Sequence, residues 1–103
     1  MIARAQLIDV LFVIVPQSLL LDIAGPAEAF RLANLHRRAR GLPPRFRLRF
    51  AGPVATLPTS VGLTLGNLVP LPEQLSTPTW VVVVGQDPAE TPPGSPSARG
   101  PRR

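Results

Sequence analysis

The segment LLLDIAGPAEAF, residues Leu19 to Phe30, places a turn, a helix start and two carboxylates close together in the chain. Pro26 suits the first turn of a helix, where its missing N–H is no loss, so the sequence predicts a helix that starts near Gly25. Asp22 would then lie just upstream, at the carboxyl end of the preceding strand, where open α/β sheets bind ligands. Glu28 would lie where a carboxylate favours the positive helix end. We therefore take Asp22 and Glu28 as the candidate functional residues; the simpler alternative is that Asp22 caps the turn and Glu28 complements the helix dipole.

Two strongly apolar runs flank this segment and predict buried strands. The run from Ile8 to Val15 is nearly continuous Val, Ile, Leu and Phe and ends at Pro16, which is typical of a strand buried on both faces of a parallel sheet. We expect Asp9, near the start of this run, to reach solvent at the edge of the strand. The run from Trp80 to Val84, WVVVV, predicts a second central parallel strand that ends at Gly85.

A helix is expected between these two runs. Strong helix formers from Pro26 to about Arg40 predict an amphipathic helix, and Gly41 is expected to end it. The spacing of its apolar residues predicts an inward face of five side chains, which are Ala29, Phe30, Leu32, Ala33 and Leu35.

The segment RFRLRF, Arg45 to Phe50, alternates strictly and predicts a strand near a sheet edge with one apolar and one wet face. Its three arginines could grip phosphates, but charged side chains also protect sheet edges from mispairing, and we favour edge protection for Arg45, Arg47 and Arg49. Two short apolar pieces, Val54 to Leu57 and Leu63 to Leu68, predict a small β-hairpin that projects from the main sheet. The order of these elements predicts an α/β fold.

The composition limits the classes of function. With 103 residues and 45% hydrophobic residues, the chain can form one small globular domain. Its basic residues are all Arg and its net charge is +5, which permits contact with nucleic acid through electrostatics alone. The chain has no Cys and a single His, His36, so it has no disulfide, no thiolate nucleophile and too few ligands for a zinc site. We expect no metal and no cofactor.

The two ends of the chain carry separate predictions. Residues Asp87 to Arg103 contain no large apolar residue and are rich in Pro, Gly and Ser, which predicts a disordered tail after a domain that spans residues 1–86. The apolar run from Leu7 to Val15 is too short to span a bilayer, and no cleavage site follows it. We therefore expect a cytoplasmic protein without membrane contact.

The segment VLFVIVPQSLLLDIAGPAEAFRLAN, Val10 to Asn34, resembles the amino-terminal signature of the ThiJ/PfpI superfamily, which has the class I glutamine amidotransferase-like fold. It resembles more closely the sensory domain of AraC-family transcription regulators of the GlxA type, which open with a hydrophobic strand, a Pro and LDLAGPLEVF-like residues. The similarity continues through Phe46 to Ala51, Ser60 to Leu63 and Trp80 to Gly85. It covers nearly all of residues 7–86.

The resemblance implies a partial flavodoxin-like parallel sheet, with family acid positions at Asp22 and Glu28 and a ligand site formed by Asp22, Gly25 and Glu28. In the superfamily, an acidic residue after the first strand approaches a cysteine on a sharp strand-to-helix turn and tunes its thiolate. That turn would follow the run from Trp80 to Val84, and this chain contains neither the turn nor any Cys. The helix-turn-helix pair of the regulators is also missing, so the resemblance implies a truncated domain.

The leading hypothesis is therefore the amino-terminal sensory and dimerisation fragment of a GlxA-type AraC-family regulator, which is not itself catalytic. It implies a small-molecule effector, homo-oligomers of the full-length protein, and DNA contact only through a carboxyl-terminal domain. The alternative is a truncated ThiJ/PfpI-like enzyme, hydratase or amidase-like, which lacks the cysteine nucleophile that Asp22 would have served. A third hypothesis is a small basic binding protein that acts through the arginines of its second strand and through its tail.

Overall fold

A parallel sheet with one helix against it forms the centre of the structure, which is a computed structural model that describes residues 7–86. The predicted tail, residues 87–103, lies outside the described residues. The elements in chain order are β1 (Ile8–Val13), α1 (Leu20–Ala39), β2 (Phe46–Ala51), β3 (Leu57–Pro58), β4 (Thr64–Leu65) and β5 (Thr79–Val83). The described part of the chain is therefore mixed α/β, as the sequence predicted.

Strand β1 is the central strand of the sheet. The order is β2-β1-β5, and β1 is parallel to both neighbours. Both edges of β1 are paired with neighbouring strands, and Val10, Leu11 and Phe12 are all buried. The prediction of a buried parallel strand is confirmed, although the strand ends at Val13 rather than Val15.

The core lies between α1 and one face of the sheet. Val10, Phe12 and Ile14 are fully buried there, and Ile23 of α1 packs in the same cluster. The ring centroids of Phe12 and Phe50 are 4.9 Å apart in a stacked pair. An aromatic pair of this kind contributes about 0.5–1.5 kcal/mol beyond the burial of its area.

The inward face of α1 differs from the one that the sequence predicted. The residues that pack on the sheet are Ile23, Ala27 and Phe30, which follow the i, i+4, i+7 spacing of one helix face. Ala29, Leu32 and Leu35 are exposed, so their assignment to the inward face was wrong. The apolar residues of α1 lie all around the helix, and periodicity alone did not distinguish the buried face from the exposed ones.

The predicted start of the helix was also wrong. Helix α1 begins at Leu20, and Pro26 lies inside it rather than in its first turn. A proline inside a helix leaves the carbonyl four residues earlier without its usual hydrogen bond. The first turns form nevertheless, because the N–H of Leu19 donates to the carbonyl of Gly85 at 2.9 Å and Ile23 is buried against the sheet.

The end of the helix is where the sequence placed it. Gly41 follows the last turn with φ +74°, a backbone conformation that glycine adopts without steric cost. The N–H of Gly41 donates to the carbonyl of Arg38 at 3.0 Å, and the N–H of Leu42 donates to that of Arg37 at 2.9 Å. These two hydrogen bonds form a Schellman motif, so the glycine stop is confirmed.

The prediction of a small β-hairpin is confirmed. Strands β3 and β4 pair antiparallel but are only two residues long each. The hairpin is also tied into the core, because Leu57 and Leu68 are buried in the same cluster as Phe12. Both leucines approach Gly52, where a Cβ atom would lie 3.1 Å from each of their side chains.

Strand β5 is parallel to β1, as predicted, but it is an edge strand of the described sheet rather than a central one. Trp80 and Val81 are half exposed, and Val83 is 78% exposed. Val83 lies on the face of the sheet opposite α1, together with Val13 of β1 with which it is in register. β2 forms the other edge, which confirms the predicted edge position of that strand.

Candidate functional site

The carboxyl edge of the sheet is organised by the turn that leaves β1. Ser18 is fully buried there, and its Oγ donates to the carbonyl of Val15 at 2.6 Å and accepts from the N–H of Val15 at 3.0 Å. The carbonyl of Ser18 accepts from the N–H of Ser60 in the hairpin at 2.9 Å. The side chain of Gln86 donates to the carbonyl of Pro16 at 2.8 Å. The turn, the hairpin and the end of β5 are therefore joined at one edge.

Asp22 lies at this edge, in the first turn of α1 rather than upstream of the helix. Its Oδ2 accepts from the N–H of Gly85, just after β5, at 3.3 Å. A Cβ atom on Gly85 would lie only 2.7 Å from the same oxygen, so the close approach of the carboxylate requires glycine at that position unless Asp22 moves. Asp22 is otherwise exposed. Its second oxygen faces no described hydrogen-bond donor and is available to a ligand.

The position of Asp22 coincides with the point where the strand order reverses. The chain passes from β1 through α1 to β2 on one side of β1, and it later returns to β5 on the other side. Open α/β sheets bind ligands in the crevice at the carboxyl ends of the two strands that flank such a switch point. The sequence predicted this location for Asp22, although it placed the residue on the wrong element.

The other two predicted ligand residues do not join Asp22. Glu28 forms an ion pair with Arg31 at 2.7 Å on an exposed face of α1. Because the helix begins at Leu20, Glu28 is not in its first turn and does not complement the positive end of the helix dipole as predicted. It lies six residues after Asp22, which is about 9 Å along the helix axis and on a different side. Gly25 is exposed, and no atom would contact a Cβ built on it. Of the three predicted residues, only Asp22 has a described contact with the end of β5.

A cavity that sequence reasoning missed lies on the α1 side of the sheet, near the end of β2. It has a volume of about 360 Å³ and an apolar lining between α1, β2 and the hairpin, formed by Ile23, Phe50, Leu65 and Leu68 together with Gly66 and Asn67. Ile23 directly follows Asp22 in the helix. A small-molecule site commonly combines an apolar cavity of this size with one or two polar groups at its rim.

A second polar cluster lies on the opposite face of the sheet, near the amino end of β1. Asp9 is 3% exposed, so the prediction that it reaches solvent was wrong. Its Oδ1 accepts from Nε of Arg47 at 2.6 Å, and its Oδ2 accepts from Nη2 of Arg47 at 3.1 Å and from the hydroxyl of Thr77 at 2.7 Å. Nη1 of Arg49 is 4.0 Å from Oδ2. One buried carboxylate therefore organises two arginines.

These contacts change the acidity of the carboxyl group. The hydrogen bonds from Arg47 and then from Thr77 hold the pKa of Asp9 below its usual 3.8, against the opposing effect of burial. The hydrogen bond to Asp9 in turn raises the pKa of Arg47. The signal that could have revealed this cluster was the single carboxylate in an apolar run, since a buried charge requires a partner.

Comparison with protein-family models, curated proteins and solved structures finds no match to this chain. Residues 7–86 contain no group of three or more His, Cys, Asp or Glu side chains placed to hold a metal ion. Among the same residues, no helix has both the length and the apolarity that crossing a bilayer requires.

Proposed function

We propose that residues 7–86 form the amino-terminal part of the small-molecule-sensing domain of a GlxA-type AraC-family transcription regulator. The observation that carries this proposal is the position of Asp22 at the switch point between β1 and β5, beside the end of β5 at Gly85. A sensor needs a binding site that an effector can reach from solvent, and the bound effector must fix a contact that is otherwise mobile. The exposed carboxylate of Asp22 would supply a polar contact, and the apolar cavity lined by the next residue, Ile23, would supply an apolar one.

The order of the sheet supports the finer fold assignment within this proposal. Among the three main strands, the second, first and third in chain order lie side by side, which corresponds to the first three positions of the flavodoxin-like order 2-1-3-4-5. A fourth strand would pair with the outer edge of β5, which has no neighbour in the described sheet. We therefore propose a partial flavodoxin-like sheet of the class I glutamine amidotransferase-like type.

The proposal assigns neither catalysis nor DNA contact to this segment. The chain contains no cysteine that could act as the nucleophile of a ThiJ/PfpI-like enzyme. Of the arginines on β2, Arg47 has two of its N–H groups bound to Asp9, which leaves fewer donors for phosphates. In the proposed regulator, a separate carboxyl-terminal domain contacts DNA and the full-length protein is a homo-oligomer.

An NMR screen of a small-molecule library against the full chain tests the sensing role. We expect at least one compound to shift the backbone amide signals of Ile23 and Gly85. The Asp22→Asn variant keeps an acceptor for Gly85 but loses the charge, and we expect it to weaken that binding by about tenfold or more. Glu28→Gln removes the same charge from the same helix and should leave affinity within about twofold.

Two results would refute the sensing role. The first is that every compound that binds shifts only signals far from Asp22 and from the apolar cavity, and the second is equal loss of affinity in both variants.

Sequencing the gene beyond the codon for Gly85, with translation in all three frames, separates a regulator from an enzyme. Two helix-turn-helix units in one frame are expected; a cysteine-bearing turn without them would favour the enzyme.

A further inference from the structure

The cluster around Asp9 borders a polar cavity that the proposed function does not use. This cavity has a volume of about 280 Å³ and lies between β2 and the loop that precedes β5. Its polar lining consists mainly of Asp9, Arg47, Arg49, Gln74, Ser76 and Thr77. It lies near the amino end of β1 on the face opposite α1, whereas Asp22 lies at the carboxyl edge.

The charges in this cavity do not balance. Asp9 accepts three hydrogen bonds, two of them from Arg47 and one from Thr77, so its negative charge is already matched by Arg47. Arg49 adds a second positive charge, and its Nη1 is 4.0 Å from Asp9, which is beyond hydrogen-bonding distance. No described residue accepts a hydrogen bond from the Arg49 side chain. The cavity therefore carries a net charge of +1.

Edge protection accounts for an arginine at this position of β2, but not for its approach to a buried carboxylate that Arg47 already pairs. Arg47 and Arg49 lie two residues apart on the same face of one strand, about 7 Å from each other along β2. Two like charges at this separation repel one another, and the single carboxylate between them offsets only one. Among the described residues, Arg49 has only the 4.0 Å ion pair with Asp9, and its side chain is 39% exposed.

We propose that this cavity binds a small oxyanion, the carboxylate or phosphate group of a metabolite, with Arg49 as its principal ligand. A guanidinium matches the two oxygens of either group with two parallel N–H donors. Ser76 and Gln74 supply neutral donors, and Asp9 acts as a positioning residue because it fixes Arg47 beside the bound anion. The inference stands apart from the proposed function and survives if that function is refuted.

The size of the cavity favours a small molecule over a nucleic acid backbone. A volume of about 280 Å³ corresponds to roughly nine water molecules at about 30 Å³ each, which accommodates phosphate or a short dicarboxylate. The loop residues Gln74, Ser76 and Thr77 line the cavity together with the two arginines. A polymer would need several cations along an open surface, whereas the described lining of this cavity holds two arginines, of which Arg47 is paired with Asp9.

Titration of the isotope-labelled full chain with inorganic phosphate and with succinate tests the site. Ionic strength is held constant with sodium chloride, so that general screening does not change during the titration. We expect saturable shifts of the amide signals of Arg49, Thr77 and Thr79 with at least one of the two anions. The anion that binds more tightly identifies a tetrahedral phosphate or a planar carboxylate as the preferred group.

Matched variants assign the binding to Arg49. Arg49→Gln leaves the Asp9–Arg47 pair intact, and we expect it to reduce affinity for the preferred anion by about tenfold or more. Arg40→Gln removes the same charge from the exposed end of α1 and should leave affinity within about twofold. Absence of saturation with both anions, or equal losses in both variants, would overturn the proposal. Tighter binding of a short DNA duplex to the same residues would also overturn it in favour of nucleic acid.

Discussion

Replacing Ser18 by alanine removes one buried oxygen and tests how the carboxyl edge of the sheet is held. In the structure this Oγ accepts from the N–H of Val15 at 3.0 Å and donates to its carbonyl at 2.6 Å. The carbonyl keeps a second donor, the backbone N–H of Ser18 at 3.2 Å, so alanine leaves the N–H of Val15 as the group without its partner. An unsatisfied buried donor costs about 1–3 kcal/mol, and we expect a loss of about 2 kcal/mol.

This loss is large for a domain of this size. A domain of about 80 ordered residues has a free energy of unfolding of roughly 4–12 kcal/mol, and each kcal/mol lowers the Tm by about 4–8 °C. The expected loss therefore lowers the Tm by roughly 10 °C. Urea unfolding monitored by the fluorescence of Trp80, the only tryptophan of the chain, measures the change directly because its ring packs 5.5 Å from that of Phe46.

Ser76→Ala is the matched control for this measurement. Ser76 is exposed in the loop before β5, and the same substitution there should change stability by less than about 0.5 kcal/mol. A Ser18→Ala variant as stable as Ser76→Ala would show that the hydroxyl does not hold the turn. The position of Asp22 would then depend on the contact of α1 with β5 alone.

Two further predictions concern the contacts that join distant segments. Asp9→Asn should lower the free energy of unfolding at pH 7, and the difference from the wild type should shrink on acidification, as measured by urea unfolding across pH. The reason is that the pKa of Asp9 in the folded protein lies below its usual 3.8. The ionised Asp9 therefore stabilises the fold fully above pH 3.8, and this stabilisation is lost as the pH falls through the folded pKa. A difference between the two proteins that grows toward low pH would contradict this prediction. Asn34→Ala should lower the free energy of unfolding by about 2 kcal/mol in the same assay. The side-chain amide of Asn34 donates to the carbonyl of Phe46 and accepts from the N–H groups of Arg45 and Phe46. A loss no greater than that of Leu32→Ala, an exposed substitution on the same helix, would refute the prediction.

Local patterns predicted the elements whose formation depends on neighbouring residues. The continuous apolar run predicted β1 and its burial, and strict alternation predicted β2 at a sheet edge. Gly41 predicted the end of α1, because its positive φ is easily adopted only by a residue without a Cβ. In each case the physical cause lies within a few residues of the feature itself.

Patterns failed where a distant segment decided the outcome. Pro26 favoured a late helix start, and the contacts of Leu19 and Asp22 with Gly85 moved the start to Leu20. Helix spacing placed Leu32 and Leu35 in the core, but only the helix face toward the sheet is covered. Asp9 was expected at the surface because its partners Arg47 and Thr77 are distant in sequence.

The sequence by itself determined the central parallel strand, the presence of the helix and its glycine stop, because apolar runs, helix-forming residues and glycine geometry act over a few residues. Only the tertiary structure decided which side chains meet. It brought Asp22 to the end of β5, separated it from Glu28 on the same helix, and joined Asp9 to two arginines of β2. Such pairings depend on strand order and register, which bring together residues far apart in the chain. A local sequence pattern does not contain the information that sets strand order and register.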